Sequence, residues 1–294
     1  MKSKLCFIPD SFSFDSGDAV LIEELDVAAS LVDGMNSDFI SFARSSDFDE
    51  FVGNELYCSD KFVEIGPLYS AIYDGDMNKA VAIGESSEEV LQCVNTALPT
   101  TENYWLSVYS SSPDKILVNF NERNITDEES LLFYSKHILL NNQYTAEEYG
   151  NAFKSFYKNL IFHQNYNDIS SIESGCRDFI NGILEMFDVM DAYSPVDGGA
   201  KTDIDYLNKN ITFLTCEEGG GKKNRTTDEK NLKFNFLIDG KERKINCEFH
   251  CKLEYVDGQY KKGKYHKANR MYFGFWKPED SKNQITIAHL GGHL

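Results

Sequence analysis

The chain has 294 residues, of which 41% are hydrophobic and 26% are charged, so it is long enough to bury a core in one or two domains. This composition excludes a disordered or fibrous protein. The formal net charge of −18 argues against a nucleic-acid-binding chain, because phosphates repel a negative protein.

The acidity is unevenly distributed along the chain. Residues 1–200 hold 11 basic and 34 acidic residues, whereas residues 201–294 hold 18 basic and 13 acidic residues. The first part therefore carries a net charge of −23 and the second a net charge of +5. We expect an acidic N-terminal part that masks a basic module, binds a basic partner or excludes non-specific nucleic acid. Ordinary acidity for solubility is the alternative.

Few elements are predicted in the first hundred residues. Apolar spacing indicates strands over Lys4–Ile8 and Lys79–Gly84 and helices over Ile22–Val32 and Ser87–Ala97. The rest of residues 10–100 has weak periodicity, and no fold is predicted for it.

The middle of the chain predicts a hairpin and three helices. Tyr104–Tyr109 and Lys115–Phe120 alternate like the strands of a hairpin. Three helices are expected at about 126–190, and capping-box patterns beginning at Thr126 and Thr145 open the first two, which run to about Leu140 and Gln164. Apolar spacing predicts the third helix over Ser171–Met190.

The segment from Ser194 to Gly199 is rich in Pro and Gly and marks a domain boundary. We therefore divide the chain into residues 1–197 and residues 198–294. After the boundary the apolar period changes from 3.6 to 2, which predicts five strands. These strands are Ile211–Cys216, Leu232–Ile238, Lys244–Tyr255, Asn269–Trp276 and Gln284–Leu290. The expected fold class is α+β, with an acidic mixed α/β N-terminal domain followed by a compact antiparallel β-rich C-terminal module.

Histidines concentrate near the end of this sequence. Four of the six fall within the last 45 residues, at His250, His266, His289 and His293. Strand alternation places Glu248, His250 and Lys252 on one open polar face, with Cys247 and Cys251 on the core face. In the strand Asn269–Trp276, Arg270 and Tyr272 share the polar face. Strand alternation would place His289 on the same face as the apolar Ile285 and Ile287. The sequence therefore does not decide which face of the sheet His289 occupies.

Such a face suits phosphodiester cleavage without a metal. His250 and Glu248 are the candidate acid–base groups, and Lys252 and Arg270 the candidate phosphate ligands. Tyr272 or His289 is the candidate second proton donor or orienting group. The alternative is a solvated sheet face with ordinary polar residues.

The polar His/Lys strand, the run Asn269-Arg270-Met271-Tyr272-Phe273 and the final Ile285-Thr286-Ile287-Ala288-His289-Leu290 together resemble the RelE/HigB-type toxins. These are small bacterial ribonucleases of toxin–antitoxin systems, many of which cut messenger RNA on the ribosome. The resemblance covers residues 205–294 at most. It implies an RNA target, free or on the ribosome, and it matches Arg270 and Tyr272 to the family's phosphate-binding and catalytic positions. The family's opening helical hairpin has its counterpart here only in the helices before residue 190.

Two basic loops are candidate nucleic-acid contacts. The first holds Lys222, Lys223 and Arg225 after three glycines, and the second holds Lys264 and Lys267. The first loop lacks the spacing of a Walker motif. Solvated loops are the alternative interpretation of both.

No metal and no cofactor are expected. A metal nuclease is the third hypothesis, with Glu248, Glu254 and Asp257 as the candidate carboxylates. Cys247 and Cys251 would lie roughly 13 Å apart along an extended strand, and Gly291 and Gly292 argue against a helix that would bring His289 and His293 together on one zinc ion. Seven cysteines, an odd number without a secretory signal, predict free buried thiols and a cytoplasmic protein. No membrane partner is expected.

The sequence therefore predicts a bacterial toxin or anti-phage defence effector whose C-terminal module binds and cleaves RNA. The partners expected are RNA, free or ribosome-bound, and a protein antitoxin or regulator. A non-enzymatic interaction protein is the second hypothesis. In that case the acidic N-terminal half docks a basic partner or mimics nucleic acid.

Overall fold

A computed structural model describes residues 2–58, 60–96, 99–100, 104–211, 214–217, 232–253, 255–256, 259–260, 269–279 and 282–294. The chain divides into two compact units, Met1–Asn142 (unit 1) and Gln143–Leu294 (unit 2). The mixture of parallel and antiparallel sheets with helices confirms the α+β fold class. In the described ranges, no helix combines the length and the apolar character that crossing a membrane requires.

Unit 1 contains a parallel sheet with helices in the connections. Its strands are β1 (Lys2–Phe7), β2 (Ile40–Arg44), β3 (Val81–Ala82), β4 (Tyr104–Tyr109) and β5 (Asn124–Ile125). Its helices are α1 (Asp18–Met35), α2 (Phe48–Cys58), α3 (Ile65–Tyr73), α4 (Ser87–Thr96) and α5 (Glu128–Asn141). The strand order is β3-β2-β1-β4-β5. Leu5, Cys6 and Phe7 of the central β1 are all buried, as in a parallel sheet whose two faces are covered.

The predicted strand at the start and the helices represented by α1 and α4 are confirmed. The predicted hairpin is wrong. β4 lies parallel to β1 and to β5, and Lys115–Phe120 forms no strand. The Ser110 hydroxyl donates to the carbonyls of Ser112 and Lys115, each at 2.8 Å, which holds the start of this segment as a loop.

Unit 2 has a larger, mostly antiparallel sheet. Its strands are β6 (Ile161–Phe162), β7 (Asn167–Asp168), β8 (Leu214–Glu217), β9 (Lys233–Ile238), β10 (Lys241–Asn246), β11 (Phe249–Leu253), β12 (Tyr255–Val256), β13 (Gln259–Tyr260), β14 (Asn269–Trp276) and β15 (Gln284–Gly292). Its helices are α6 (Ala146–Phe156), α7 (Ile180–Ala192) and α8 (Lys201–Asn210). Six strands form the main sheet in the order β6-β15-β14-β11-β8, with β7 also paired to β15. Strands β9 and β10 form a hairpin, and β12 pairs with β13.

The boundary after Asn142 differs from the predicted one at residue 197. The reason is that β6 and β7 pair with β15, near the other end of unit 2. Phe187 of α7 also packs against Phe153 of α6 and Phe162 of β6, with ring centroids 5.2 and 5.8 Å apart. The segment 143–197 therefore belongs to the core of unit 2. Unit 1 carries 8 basic and 25 acidic residues and unit 2 carries 21 and 22, so the net charges are −17 and −1.

The predicted strand Lys244–Tyr255 is divided between two sheets. β10 pairs with β9, whereas β11 pairs with β14 and β8, and the change occurs at Cys247 and Glu248. The Cys247 amide donates to the Leu232 carbonyl at 2.8 Å, which ties this connection to the start of the β9–β10 hairpin.

Helix positions also differ from the prediction in unit 2. α6 ends at Phe156 rather than near Gln164, and α7 begins at Ile180 after two short 3₁₀ turns. α8 was not predicted. The capping box of α6 is confirmed, because the Thr145 amide donates to the Glu148 carboxylate at 2.8 Å and the Glu148 amide donates back to the Thr145 hydroxyl at 3.2 Å.

Candidate active site

Three polar rings lie side by side on one face of the main sheet of unit 2. His250 of β11 pairs with Tyr272 of β14, and Tyr272 pairs with His289 of β15. The ring centroids are 5.6 Å apart for His250 and Tyr272, and 5.9 Å apart for Tyr272 and His289. We call these three residues the ring row.

A β-bulge brings His289 into the ring row. Tyr272 pairs with His289 but Phe273 pairs with Ile287, so β15 has one extra residue, Ala288, at this point. Such an insertion reverses the alternation of side chains beyond it. Ala288 accordingly packs in the same apolar cluster as Tyr272, while Ile287 opposes Phe273 on the other face. The bulge therefore determines on which face of the sheet His289 lies, which strand alternation alone could not decide.

The bulge lies where the outer partner of β15 changes. Ile287 pairs with β6 and Leu290 with β7, and both short strands run parallel to β15. The Leu290 amide donates to the Tyr166 carbonyl at 2.8 Å, between the two short strands. The break between β6 and β7 thus leaves room for the extra residue.

Two cationic side chains lie beside the ring row. Lys252 of β11 and Arg270 of β14 are opposite each other, two residues along from His250 and Tyr272 and on the same face. Like charges directly opposite on one sheet face repel, and an anion bound between them would lower that repulsion. Arg270 also pairs with Gly291 of β15.

Close contacts at Gly291 and Asn269 fix the end of the sheet beside these cations. A Cβ atom at Gly291 would lie 2.5 Å from the Asp168 carbonyl oxygen and 3.0 Å from the His289 Nε2, so a side chain cannot fit. The Asn269 side chain accepts from the Glu173 amide at 2.8 Å and donates to the Glu173 carbonyl at 3.0 Å. The loop that follows β7 is thereby fixed against β14 and β15.

The β9–β10 hairpin packs against Tyr272, the middle residue of the ring row. Ile245 and Cys247 pack with Tyr272 and Ala288, together with three apolar residues of the hairpin region, Leu232, Phe236 and Ile238. Gly274 permits this approach, because a Cβ there would lie 2.4 Å from the Asn246 carbonyl oxygen.

The exposure of the site residues shows which end of the site is open. Tyr272 and His289 are each 5% exposed and Arg270 is 6% exposed. His250 and Lys252 are half-buried, and His293 is exposed. The end of the ring row at His250 is therefore more open than the end at His289.

The protonation of His289 follows from its surroundings. Its Nε2 lies 2.8 Å from the Gly292 carbonyl oxygen and must donate to it, which leaves Nδ1 as the acceptor in the neutral ring. Burial lowers the pKa of His289, while the bond to Gly292 and the charge of Asp168 oppose that shift. His289 is therefore a neutral imidazole near neutral pH.

Sequence reasoning gave His293 no role in the site. Its ring lies 6.2 Å from that of Tyr272, in an edge-on arrangement. The Gly292 amide donates to the Ser171 hydroxyl at 2.7 Å, which holds the backbone just before His293. The clustering of histidines indicated His293, but only the strand pairing places it beside Tyr272.

Glu248 is not part of the ring row. It lies in the connection between β10 and β11 and lines a separate pocket of about 450 Å³ with Lys244, Trp276 and Lys277. The five predicted nucleic-acid contacts, Lys222, Lys223, Arg225, Lys264 and Lys267, lie outside the described residues, as does His266.

Most of the cysteines whose side chains are described are buried. Among the cysteines whose side chains are described, Cys6, Cys176, Cys247 and Cys251 are free and buried, whereas Cys58 is exposed. Burial raises the pKa of the Cys247 thiol to about 12. Within the described ranges no group of three or more His, Cys, Asp or Glu side chains could hold a metal ion.

Unit 1 has the topology in which a ligand commonly binds at the carboxyl ends of the strands, where the strand order reverses beside β1. In this chain that place is filled by aromatic side chains. Phe12, which follows β1, packs between Phe7, Phe48 and Tyr109 at ring-centroid distances of 5.9, 6.2 and 5.6 Å. This crevice is therefore part of the core of unit 1.

The ring row with Lys252 and Arg270 thus brings five of the six predicted catalytic residues together on one face of the main sheet. Comparisons with family models, with curated proteins and with solved structures find no match for this chain.

Proposed function

We propose that unit 2 is an endoribonuclease that cleaves RNA by acid–base catalysis without a metal, as a bacterial toxin or anti-phage defence effector. The observation that carries the proposal is the register that puts His250, Tyr272 and His289 in one row beside Lys252 and Arg270. This set offers two imidazoles, one phenol and two cations on a single face. Phosphodiester cleavage without a metal is helped by a base, an acid and positive charge beside the phosphate, and this set can supply all three.

The reaction is an internal transesterification. A base takes the proton of the ribose 2′-hydroxyl, and the 2′-oxygen forms a bond to phosphorus. The bond between phosphorus and the 5′-oxygen then breaks, and an acid supplies the proton to that oxygen. The products are a 2′,3′-cyclic phosphate and a 5′-hydroxyl, so no water, oxidant or metal is consumed.

The environments of the site residues suggest a role for each. His289 is neutral, so its Nδ1 suits the base. His250, at the open end of the ring row, suits the acid that reaches the leaving oxygen. Lys252 and Arg270 would hold the phosphate and stabilise the charge that develops on its oxygens. Tyr272, between the two imidazoles, would orient them and hydrogen-bond the phosphate.

The resemblance to RelE/HigB-type toxins is part of this proposal. The Arg-x-Tyr strand is β14 and the His-bearing strand is β15, and the two are neighbours in the sheet. Under this interpretation ribosome-bound messenger RNA is the substrate to test beside free RNA, and a protein antitoxin is the partner to seek.

The experiment incubates the purified full chain with a labelled RNA, free and on ribosomes, in the presence of EDTA. We expect cleavage that leaves a 2′,3′-cyclic phosphate, and no cleavage of the same oligonucleotide with 2′-deoxyribose at the cut position. His250→Ala and His289→Asn should each reduce the rate by about 10²–10⁴-fold. His137→Ala, which changes an exposed histidine of unit 1, is the matched control and should leave the rate unchanged.

Two results would contradict the proposal. One is intact RNA in both settings. The other is cleavage that persists unchanged in both histidine variants, which would assign the activity to other residues or to a contaminant.

The charge of unit 1 favours a second function, the binding of a basic partner. Its net charge of −17 over 142 residues is enough to attract a cationic protein at long range. For a non-enzymatic protein of this kind, partner binding would weaken steeply with salt, and His250→Ala and His289→Asn would leave the cellular phenotype intact. Loss of the phenotype in both variants, with the fold preserved, would favour the ribonuclease.

A further inference from the structure

Unit 1 contains a buried cation enclosed by aromatic rings. Arg123, which precedes β5, is 9% exposed. Its guanidinium carbon lies 5.8 Å from the ring centre of Trp105, 5.3 Å from that of Phe120 and 5.8 Å from that of Tyr134. Cation–π attraction stabilises this arrangement but leaves the hydrogen-bonding edge of the guanidinium available.

The hydrogen bonds of this group are incomplete. Arg123 Nη1 donates to the Val94 carbonyl at 2.6 Å, while Arg123 Nε is buried without a partner. The indole Nε1 of Trp105 is also buried without a partner. Among the described residues, no acidic side chain forms an ion pair with Arg123. A buried charge and two buried N–H groups left unpaired are costly, and an anion would satisfy all three.

Arg123 and Trp105 both line one cavity of about 180 Å³. Its walls are mostly apolar and include Trp105, Tyr134 and Ile138. The polar residues His137, Asn141 and Asn142 also line it. The volume fits a ligand with few heavy atoms, and the aromatic walls fit a flat apolar body. The donors on Arg123 and Trp105 suit the two oxygens of a carboxylate.

We infer that this cavity is a binding site for a small organic carboxylate with a flat apolar body. The carboxylate pairs with Arg123 and accepts a hydrogen bond from the Trp105 indole, and the apolar body lies among the aromatic and aliphatic walls. A bare inorganic anion would leave those walls without a partner, which is why a carboxylate of this kind is preferred to phosphate. The site lies in unit 1 and does not depend on the ribonuclease proposal.

The test uses benzoate as the probe and calorimetry with the full chain. The chain has two tryptophans, so Trp276→Phe leaves Trp105 as the only indole and its fluorescence as a second measure of binding. We expect saturable binding of benzoate, with a change in Trp105 emission, and no binding of the neutral benzamide at the same concentrations. Inorganic phosphate should bind at least tenfold more weakly than benzoate.

Trp105→Phe keeps an aromatic wall and removes the indole donor. We expect it to weaken benzoate binding by about tenfold or more, since hydrogen bonds to charged groups are the strong ones. Arg123→Met should abolish binding. Arg243→Met is the matched control, because Arg243 also lies over a tryptophan, Trp276, but is exposed, and it should leave the affinity unchanged.

Three outcomes would overturn the inference. Benzamide that binds as well as benzoate would show that the site does not recognise the anion. Phosphate that binds as well as benzoate would show that the ligand does not need an apolar body. Unchanged affinity in Trp105→Phe would place the ligand elsewhere. If Arg123→Met does not fold, Arg123→Lys replaces it. This variant keeps the charge without the planar pair of donors, and benzoate that binds to it at the wild-type affinity would also overturn the inference.

Discussion

Tyr272 holds the central position of the ring row, between an imidazole at the open end and one that is buried. Its ring packs with the β9–β10 hairpin, so it also contributes to the core of unit 2. Tyr272→Phe separates these two roles, because the variant keeps the ring and loses the hydroxyl. We expect the rate of RNA cleavage to fall by about 10²-fold or more, with a change in stability below about 1.5 kcal/mol.

The measurement for this variant is the single-turnover cleavage rate beside a thermal unfolding curve. Tyr206→Phe is the control, since Tyr206 is an exposed tyrosine of the same unit. A Tyr272→Phe variant that cleaves at the wild-type rate would assign the residue to packing alone.

Two histidines of unit 2 make stability depend on pH. Burial lowers the pKa of both His289 and His163 below the ordinary value of 6.5. The unfolded chain therefore binds protons more readily than the folded chain as the pH falls below about 6.5. The free energy of unfolding should decrease from about pH 7 to about pH 5, and this dependence should be weaker in His289→Asn.

Urea unfolding of unit 2 at several pH values, followed by the hydrogen exchange of its strands, measures this slope. His137→Asn in unit 1 should leave it unchanged. A stability that increases on acidification over the same interval would show that these two histidines do not control the effect.

Residue-level prediction succeeded where alternation was regular and failed at one inserted residue. The polar face of His250, Lys252, Arg270 and Tyr272 follows from period-2 spacing, because each pair lies within one unbroken strand. The side of His289 depends on the bulge at Ala288, and pairing partners determine a bulge rather than any local pattern.

At the scale of elements, the β9–β10 hairpin controls how far the ring row is enclosed. It rests on Gly274, where the Asn246 carbonyl, the Cys247 thiol and the Ile245 side chain all lie within about 3 Å of the position a Cβ would take. Because the nearest atom belongs to the backbone, Gly274→Ala must displace the hairpin. We expect a loss of about 1–3 kcal/mol in the stability of unit 2 and faster hydrogen exchange in β9 and β10.

The control for this change is Gly53→Ala in α2, where nothing lies within 4 Å of the added Cβ. Alanine should stabilise that helix by about 0.5–1 kcal/mol. If the two alanine variants have the same effect on their units, the close packing at Gly274 does not hold the hairpin in place.

Strands β14 and β15 could be predicted because the residues of each alternate between two faces, one of which is apolar, and because turn residues bound each strand. The division of residues 244–255 into β10 and β11 could not be predicted. The alternation of apolar and polar residues from Ile245 to Leu253 continues unbroken, although the pairing partner changes at Cys247 and Glu248. Helix α8 was missed since its sequence is mostly polar and buries only Asp203 and Leu207. Asp203 accepts hydrogen bonds from Tyr193 and Lys277, at 2.7 and 2.6 Å, and such tertiary pairing leaves no periodic signal.

At the scale of the whole molecule, the boundary between the two units lies after Asn142, whereas the sequence placed both the domain boundary and the change of charge near residue 200. Composition placed the change of sign near residue 200, whereas packing assigns residues 143–197 to unit 2 and makes that unit nearly neutral. The acidity is thus a property of unit 1. Any affinity of unit 2 for RNA must come from local cations rather than from its net charge.

The basic segment at residues 222–225 is a candidate source of such cations, in addition to Lys252 and Arg270. If Lys222, Lys223 and Arg225 each contact a phosphate, changing all three to alanine should make the slope of log K against log salt less steep by about 2, at about 0.7 per contact for single-stranded RNA. Fluorescence anisotropy with a labelled RNA at four or five salt concentrations measures the slope.

A triple variant of unit 1 gives the matched change of net charge. Lys61, Lys79 and Lys115 replaced by alanine lower the total charge by the same three units, and the slope should not change. Equal slopes in both triple variants would show that residues 222–225 do not contact RNA.

The position of β15 in the sheet has a consequence for biosynthesis. It lies between β6 and β14, and its contacts with the β6 region join residues 125 positions apart, as in the bond from Gln284 to the Asn159 carbonyl. On the ribosome, unit 1 can fold while unit 2 still lacks an interior strand, so β6 and β14 present open edges until residue 292 has emerged. His289 arrives on that same strand. A chain truncated before His289 would therefore lack both this interior strand and a complete ring row, and under the proposed function it would not cleave RNA.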